Sequence, residues 1–246
     1  MYDWNWNVLF ELSPGGDLPY WKTLAEGTVW TVSTAISAVL IALLAGVPLG
    51  AARTMPRNGL VKLCDLYVEF FRNIPLLVQL FLWFFVVPEL LPMELGDSIK
   101  TGEYSSFLTS VVCLGLFTSA RIAEQFKSGI NSLPRGQLNA GLALGLTRLQ
   151  AYRLILVPQA LRLIVPPLTS EMINLVKNTS VALTIGLVEL TSRTRAMQEF
   201  SFRIFEAFTV ATLIYLVLNG TIVLAMGRVE RHFRQLPGQK PTGSAK

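Results

Sequence analysis

The sequence predicts an all-α integral membrane protein with five transmembrane helices and a short polar elbow between the third and fourth. Three observations carry that prediction. Of the 246 residues, 52% are hydrophobic and 15% charged, a balance suited to a bilayer. Several apolar runs approach or exceed the ~20 residues that a helix needs to cross one. Lysine and arginine are also spread unevenly between those runs, the pattern left where one side of a membrane collects positive charge.

Residues 1–26 set Asp3, Glu11, Asp17 and Glu26 against Lys22, among Trp4, Trp6, Tyr20 and Trp21. Aromatics of this kind sit at headgroup level, so 1–26 is expected as an external N-terminal segment. Its polar, acidic character is unlike a signal peptide, and the first apolar run is expected to be retained. No charge lies between Glu26 and Arg53, which defines the first span. Residues 53–72 are mixed and basic and lead into an apolar run over 73–88. That run crosses only if its helix begins upstream, near Lys62, with Asp65, Glu69 and Arg72 turned toward protein.

Residues 89–103 read as an acidic loop, and 104–120 as the third span, followed by Arg121, Glu124 and Lys127. The elbow occupies 133–158. A fourth span over 154–176 carries Arg162, Glu171 and the Pro166-Pro167 pair. Such groups are costly in lipid and tend to face a bundle interior or an aqueous path. Residues 178–188 are too short to cross and read as a re-entrant or surface helix. The fifth span is 207–227, and 229–246 is a basic tail.

Segments 53–72, 121–153 and 228–246 together hold fourteen of the 21 Lys and Arg residues; the opposite side holds six, and Arg162 lies within a span. The positive-inside rule then puts the N-terminus outside and the C-terminus in the cytoplasm. Arg193 and Arg195, on the outer side, run against the trend.

Within the elbow, residues 139–158 read NAGLALGLTRLQAYRLILVP. Gly141 and Gly145, four apart, predict a bare helical stripe that another backbone can approach. Thr147 is a candidate N-cap for a helix from Arg148, and Pro158 is expected to redirect the chain at the entry to the fourth span. In a soluble protein this helix–turn–helix would suggest DNA binding. Too few residues separate it from the flanking spans for a free module, so no nucleic-acid partner is expected.

The same stretch resembles the cytoplasmic loop signature of binding-protein-dependent ABC importer permeases, E-A-A-x(3)-G-x(9)-I-x-L-P. Ala140, Gly145, Ile155 and Pro158 fall in register, while Asn139, Gly141 and Val157 replace the usual Glu, Ala and Leu. The segments VEFFRNIPLLVQLFLWFF (68–85) and VPPLTSEMINLVKNTSVALTIGLVEL (165–190) resemble the polar amino acid branch of that family, and within it the glutamate/aspartate importer permeases. The resemblance extends over about 20–235. It implies one type I importer transmembrane domain over 1–246, in a bacterial inner membrane. The implied partners are a second related permease, two cytoplasmic ATPase subunits that carry ATP and Mg, and a periplasmic amino-acid-binding protein. It assigns ATPase coupling to Asn139, Ala140, Gly141, Gly145, Arg148 and Pro158, with Arg135 and Arg153 able to pair with acidic groups.

Two polar stripes mark a substrate path or an inter-helix seam. One runs through Arg72 and Asn73 to Gln79, broken by Pro75. The other comprises Glu171, Asn174, Lys177 and Asn178, with Thr169 and Ser170 beside it. An acidic amino acid needs cations for its side-chain carboxylate, and Arg72 and Lys177 are the candidates. Two alternatives stand beside this: a snorkelling Arg72 with Glu171 pairing to a neighbouring subunit, or a site carried by the partner permease.

No G-x(4)-G-K-[ST] loop occurs, so nucleotide is expected on separate chains and no cofactor on this one. No catalytic or metal-binding constellation is assembled from His232, Cys64 and Cys113, and the two thiols are expected to be buried and free. The competing classes are a secondary transporter or channel subunit, which would need no ATPase, and a membrane-anchored DNA-binding regulator.

Overall fold

The computed structural model describes residues 2–14, 18–56, 58–134 and 136–234. Asp17, Arg57, Arg135 and residues 235–246 of the basic tail, including Lys240 and Lys246, lie outside the described residues.

The described residues form helices and no β-strand. A 3-10 turn, Trp6–Phe10, precedes α1 (Tyr20–Ala52), α2 (Gly59–Asn73), α3 (Leu76–Phe81), α4 (Met93–Thr101) and α5 (Ser105–Asn131). Then follow α6 (Gly136–Ala143), α7 (Arg148–Ala151), α8 (Val157–Asn178), α9 (Leu190–Ser201) and α10 (Ile204–Arg234). Among them, α1, α5 and α10 are long and apolar enough to cross a membrane, and two bent pairs raise the number to five if each is one span.

Helix α5 is the centre of the bundle: 67% of its apolar window is buried, against 11% for α10. It packs along α1 through small residues. A Cβ on Gly46 would lie 2.7 Å from the Ser119 carbonyl oxygen, and one on Gly115 2.7 Å from the Ile41 Cβ. Helices without a hydrophobic force between them gain contact by bringing backbones together in this way. Around that seam, Ala42, Ile122, Phe126, Tyr152, Leu156 and Ile164 form a core that joins α1, α5 and the chain entering α8.

The segment expected as the second span is not one helix. Gly59–Asn73 and Leu76–Leu90 are bent by 105°. Pro75 supplies no N–H, and it drives Ile74 into extended backbone (φ −98°, ψ 130°), where a helix cannot continue. Residues 89–103, expected as a loop, hold α4, which starts after Pro92 and is tied back by a Lys100–Glu89 ion pair.

The fourth span also departs from expectation. Arg148–Ile185 runs as one helical unit, bent by 55° from Leu190–Ser201. Residues 178–188 are therefore no separate surface helix, since Thr179–Ile185 is a 3-10 extension of α8. The Glu189 carboxylate caps α9 by accepting from the Ser192 N–H at 2.8 Å. Fully buried, it also accepts from Thr31 of α1 (3.3 Å) and Tyr215 of α10 (3.1 Å), tying three helices at one end. Arg193 lies 3.3 Å from Glu26 at the start of α1, and Arg195 3.5 Å from Glu199. Those pairings give both arginines carboxylate partners at that end of the bundle.

Candidate functional site

The elbow is built by two caps. Gly145 ends α6 in left-handed backbone (φ +84°), its N–H bonded to the Leu142 carbonyl and that of Leu146 to the Gly141 carbonyl. This is a Schellman motif, and glycine adopts it without a Cβ penalty. Thr147 then caps α7: its hydroxyl accepts from the Gln150 N–H while the Gln150 side chain accepts from the Thr147 N–H (2.8 Å). A capping box of this type satisfies two backbone N–H groups at the start of α7.

The expected glycine stripe is divided between two tasks. Gly141 faces inward, where a Cβ would meet the Ile155 Cδ1 at 2.9 Å and the Ala151 Cβ at 3.3 Å. Gly145 faces open space and serves the turn. Asn139, Ala140 and Arg148 are exposed, and so are Leu144 (82%) and Leu149 (70%), two apolar side chains at the tip.

The elbow is joined stiffly to the bundle. From Arg148 the helix passes through a π turn, Tyr152–Leu156, and on into α8. Pro158 therefore lies inside a continuous helix and not at a break, the wide turn preceding it accommodating the missing N–H. Tyr152 donates a hydrogen bond of 2.8 Å to the Thr54 carbonyl, fastening the elbow to the end of α1.

Beside Thr54, the buried Arg53 begins a charged network. Its Nε donates to Asp65 at 2.7 Å and its Nη1 to Glu124 Oε2 at 2.9 Å. Lys127 lies 3.6 Å from Asp65, and Arg72 Nη1 lies 3.1 Å from the same Glu124 oxygen. Farther along α5 and α8, Glu171 accepts from Gln125 (3.0 Å) and lies 3.9 Å from Arg121. Arg72, Arg121, Glu124, Gln125 and Glu171 together line a cavity of about 290 Å³. A second cavity, of about 410 Å³, lies at the Pro75 break between Arg72, Asn73, Phe117, Arg121 and Asn178.

The structure thus gathers Arg72, Asn73, Glu171 and Asn178 from the two predicted stripes. Gln79 is not with them: the 105° break turns it into the protein, where its amide donates to the Phe71 and Ile74 carbonyls, both at 2.8 Å. Those acceptors are released by the break, and Gln79 braces it. Lys177 and Ser170 are exposed, Asn174 is half-buried, and Thr169 bonds back to the Val165 carbonyl; none of them lines these two cavities. Arg53, Arg121, Glu124 and Gln125 were missed by the stripe argument. For Arg121, Glu124 and Gln125 the one sequence signal is the run of polar residues directly after the third apolar segment; Arg53 is the first charge after the first.

With this geometry in place, residues 26–235 match the profile of the binding-protein-dependent transport system inner membrane component family. The chain belongs to that family. It is a transport subunit in which helices, not a catalytic centre, do the work. Other members of this permease family lie near it in sequence. Over 239 residues it is 48% identical to the glutamate/aspartate import permease protein GltJ of Escherichia coli strain K12, covering 96% of this chain and 97% of that one. It is 32% identical to the glutamate/aspartate import permease protein GltK of Escherichia coli O6:H1, covering 94% and 99%. In structure it is similar to an amino acid ABC transporter crystallised with histidines, with a TM-score of 0.73, 27% identity, and 87% and 95% of the two chains covered.

Proposed function

We propose that this chain is the permease subunit of an ATP-driven, binding-protein-dependent importer that carries polar, acidic amino acids, glutamate and aspartate, across a bacterial inner membrane. The observation that carries this reading is the 48% identity to GltJ over 96% of the chain. Similarity to GltK as well supports a pair of related permeases with the substrate path between them. Two cytoplasmic ATPase subunits holding ATP and Mg, and a periplasmic binding protein, complete the importer.

In this reading residues 1–246 make one transmembrane domain of five spans: α1, the α2–α3 pair, α5, the Arg148–Ile185 unit with α9, and α10. The N-terminus is outside and the elbow and tail are in the cytoplasm, as the lysine and arginine distribution favours. The tip around Gly145 and Arg148 seats in an ATPase groove. Closure of the ATPase pair then moves α7, the π turn and α8 together, because Tyr152 and the packed core leave no slack between them. Asn139, Ala140 and Gly141 hold the other side of the elbow.

The test is reconstitution with the second permease, the ATPases and the binding protein in liposomes. ATP-dependent uptake of glutamate and aspartate is expected. Uptake that proceeds at the same rate without ATP would favour a secondary transporter and overturn the reading.

A further inference from the structure

We infer that Arg72 and Arg121 form a two-guanidinium clamp for the two carboxylates of an acidic amino acid, in the cavity at the Ile74–Pro75 break. The inference rests on the importer reading above and adds Arg121 to it as a specificity-determining residue.

The two arginines stand between cavities of opposite character. On one side, Glu124 and Glu171 accompany them and the formal charges cancel. On the other, Asn73, Phe117 and Asn178 accompany them, and no carboxylate among the described residues lines the wall. That second cavity, about 410 Å³, is of a size common for small-molecule sites, ~300–1,000 Å³. Two cations facing a space with no acid of its own are matched by a ligand that brings two carboxylates.

The resting counterions are incompletely committed. Glu124 Oε2 serves Arg72 at 3.1 Å while also accepting from Arg53 at 2.9 Å. Glu171 lies 3.9 Å from Arg121, beyond hydrogen-bond reach, while Gln125 occupies its other oxygen at 3.0 Å. The arginine side chains stay 48% and 44% exposed. The Arg121 guanidinium lies 4.8 Å from the centre of the Phe117 ring, a cation–π contact that leaves its in-plane N–H groups for a carboxylate. Asn73 and Asn178 offer amide oxygens to the ligand's ammonium group. Glutamine, with one carboxylate and an amide, gives one guanidinium a charged partner and the other only a neutral amide oxygen. Loss of one charge-assisted pair corresponds to a difference of roughly ten- to a hundred-fold in affinity.

The test uses the assembled importer in lipid nanodiscs without binding protein, with radiolabelled glutamate as the probe. Unmodified importer should bind glutamate, with aspartate displacing it at least ten-fold more effectively than glutamine. Arg121→Gln should weaken glutamate binding ten- to a hundred-fold and narrow the preference over glutamine; Arg121→Lys should recover part of the affinity. Co-purification with the ATPases, read in parallel, checks that each variant is folded and assembled. Unaltered glutamate affinity in Arg121→Gln would overturn the clamp, as would equal losses for glutamate and glutamine or no binding to the unmodified importer. If ATP-driven glutamate uptake persists in liposomes alongside any of those results, the clamp alone fails. If the unmodified importer takes up no acidic amino acid, the function reading fails with it.

Discussion

Arg53 and Arg72 share one oxygen of Glu124, at 2.9 and 3.1 Å. Arg53 is at the end of α1, one residue from the Thr54 carbonyl that receives Tyr152 from the elbow. Arg72 is at the end of α2, on the wall of both cavities. A single carboxylate on the central helix therefore touches both the structural frame and the cavity wall.

Arg53 is 8% exposed and depends on Asp65 and Glu124 for its charge. Arg53→Ala should destabilise more than Glu124→Gln, because it removes the buried cation both acids share and leaves them only the longer contacts to Lys127 and Arg72. For Glu124→Gln, about 1–2 kcal/mol is expected. Its side chain is 37% exposed and Asp65 remains, which places the cost below that of a fully buried pair. Thermal unfolding of the purified importer in detergent measures the order of the two variants; the reverse order would remove the network from the account.

Gly145 has no atom within 4 Å of where a Cβ would stand, so its requirement is conformational and not steric. Gly145→Val should cost about 1–2 kcal/mol of turn stability and deform the tip, whereas Gly145→Asn, which tolerates left-handed backbone, should be mild. Co-purification with the ATPase subunits is the readout. Equal retention of both variants would detach the turn from docking.

Gln79 braces the 105° break by donating to two freed carbonyls. Gln79→Leu should cost about 1–3 kcal/mol by leaving the buried Phe71 carbonyl and the half-buried Ile74 carbonyl unmet. The ratio of glutamate to glutamine binding should stay as it was. A changed ratio with unchanged stability would return Gln79 to the substrate path.

Gly46 sets the distance between α1 and α5. Gly46→Leu forces a side chain against the Ser119 carbonyl and Ile122, and a loss of about 1–3 kcal/mol or more is expected. Yield of folded protein by fluorescence-detected gel filtration checks it.

Much of this fold could be read from residue spacing, because apolar length and charge obey the bilayer directly. The uncharged stretch between Glu26 and Arg53 became most of α1, and Thr147 capped the helix it was expected to cap. What escaped was geometry that depends on distant partners. Pro75 announced a defect but not a 105° bend, so helical spacing put Gln79 beside Arg72 when the chain had turned between them. Pro158 was expected to redirect the chain at the entry to the fourth span, yet the helix runs through it behind a π turn. Arg121 and Glu124 read as ordinary charges after a span. Only the packing of α2 and α8 against α5 brings them to Arg72 and Glu171.

The central claim, that the elbow tip seats on an ATPase in the cytoplasm, is tested most directly at Leu144. Cys64 and Cys113 are buried, so a cysteine introduced by Leu144→Cys can be labelled with little background. In sealed right-side-out vesicles a membrane-impermeant maleimide should not reach it. In inverted vesicles it should react, and pre-assembly with the ATPase subunits should protect it. Labelling from the outer face, or full reactivity in the assembled importer, would contradict the account.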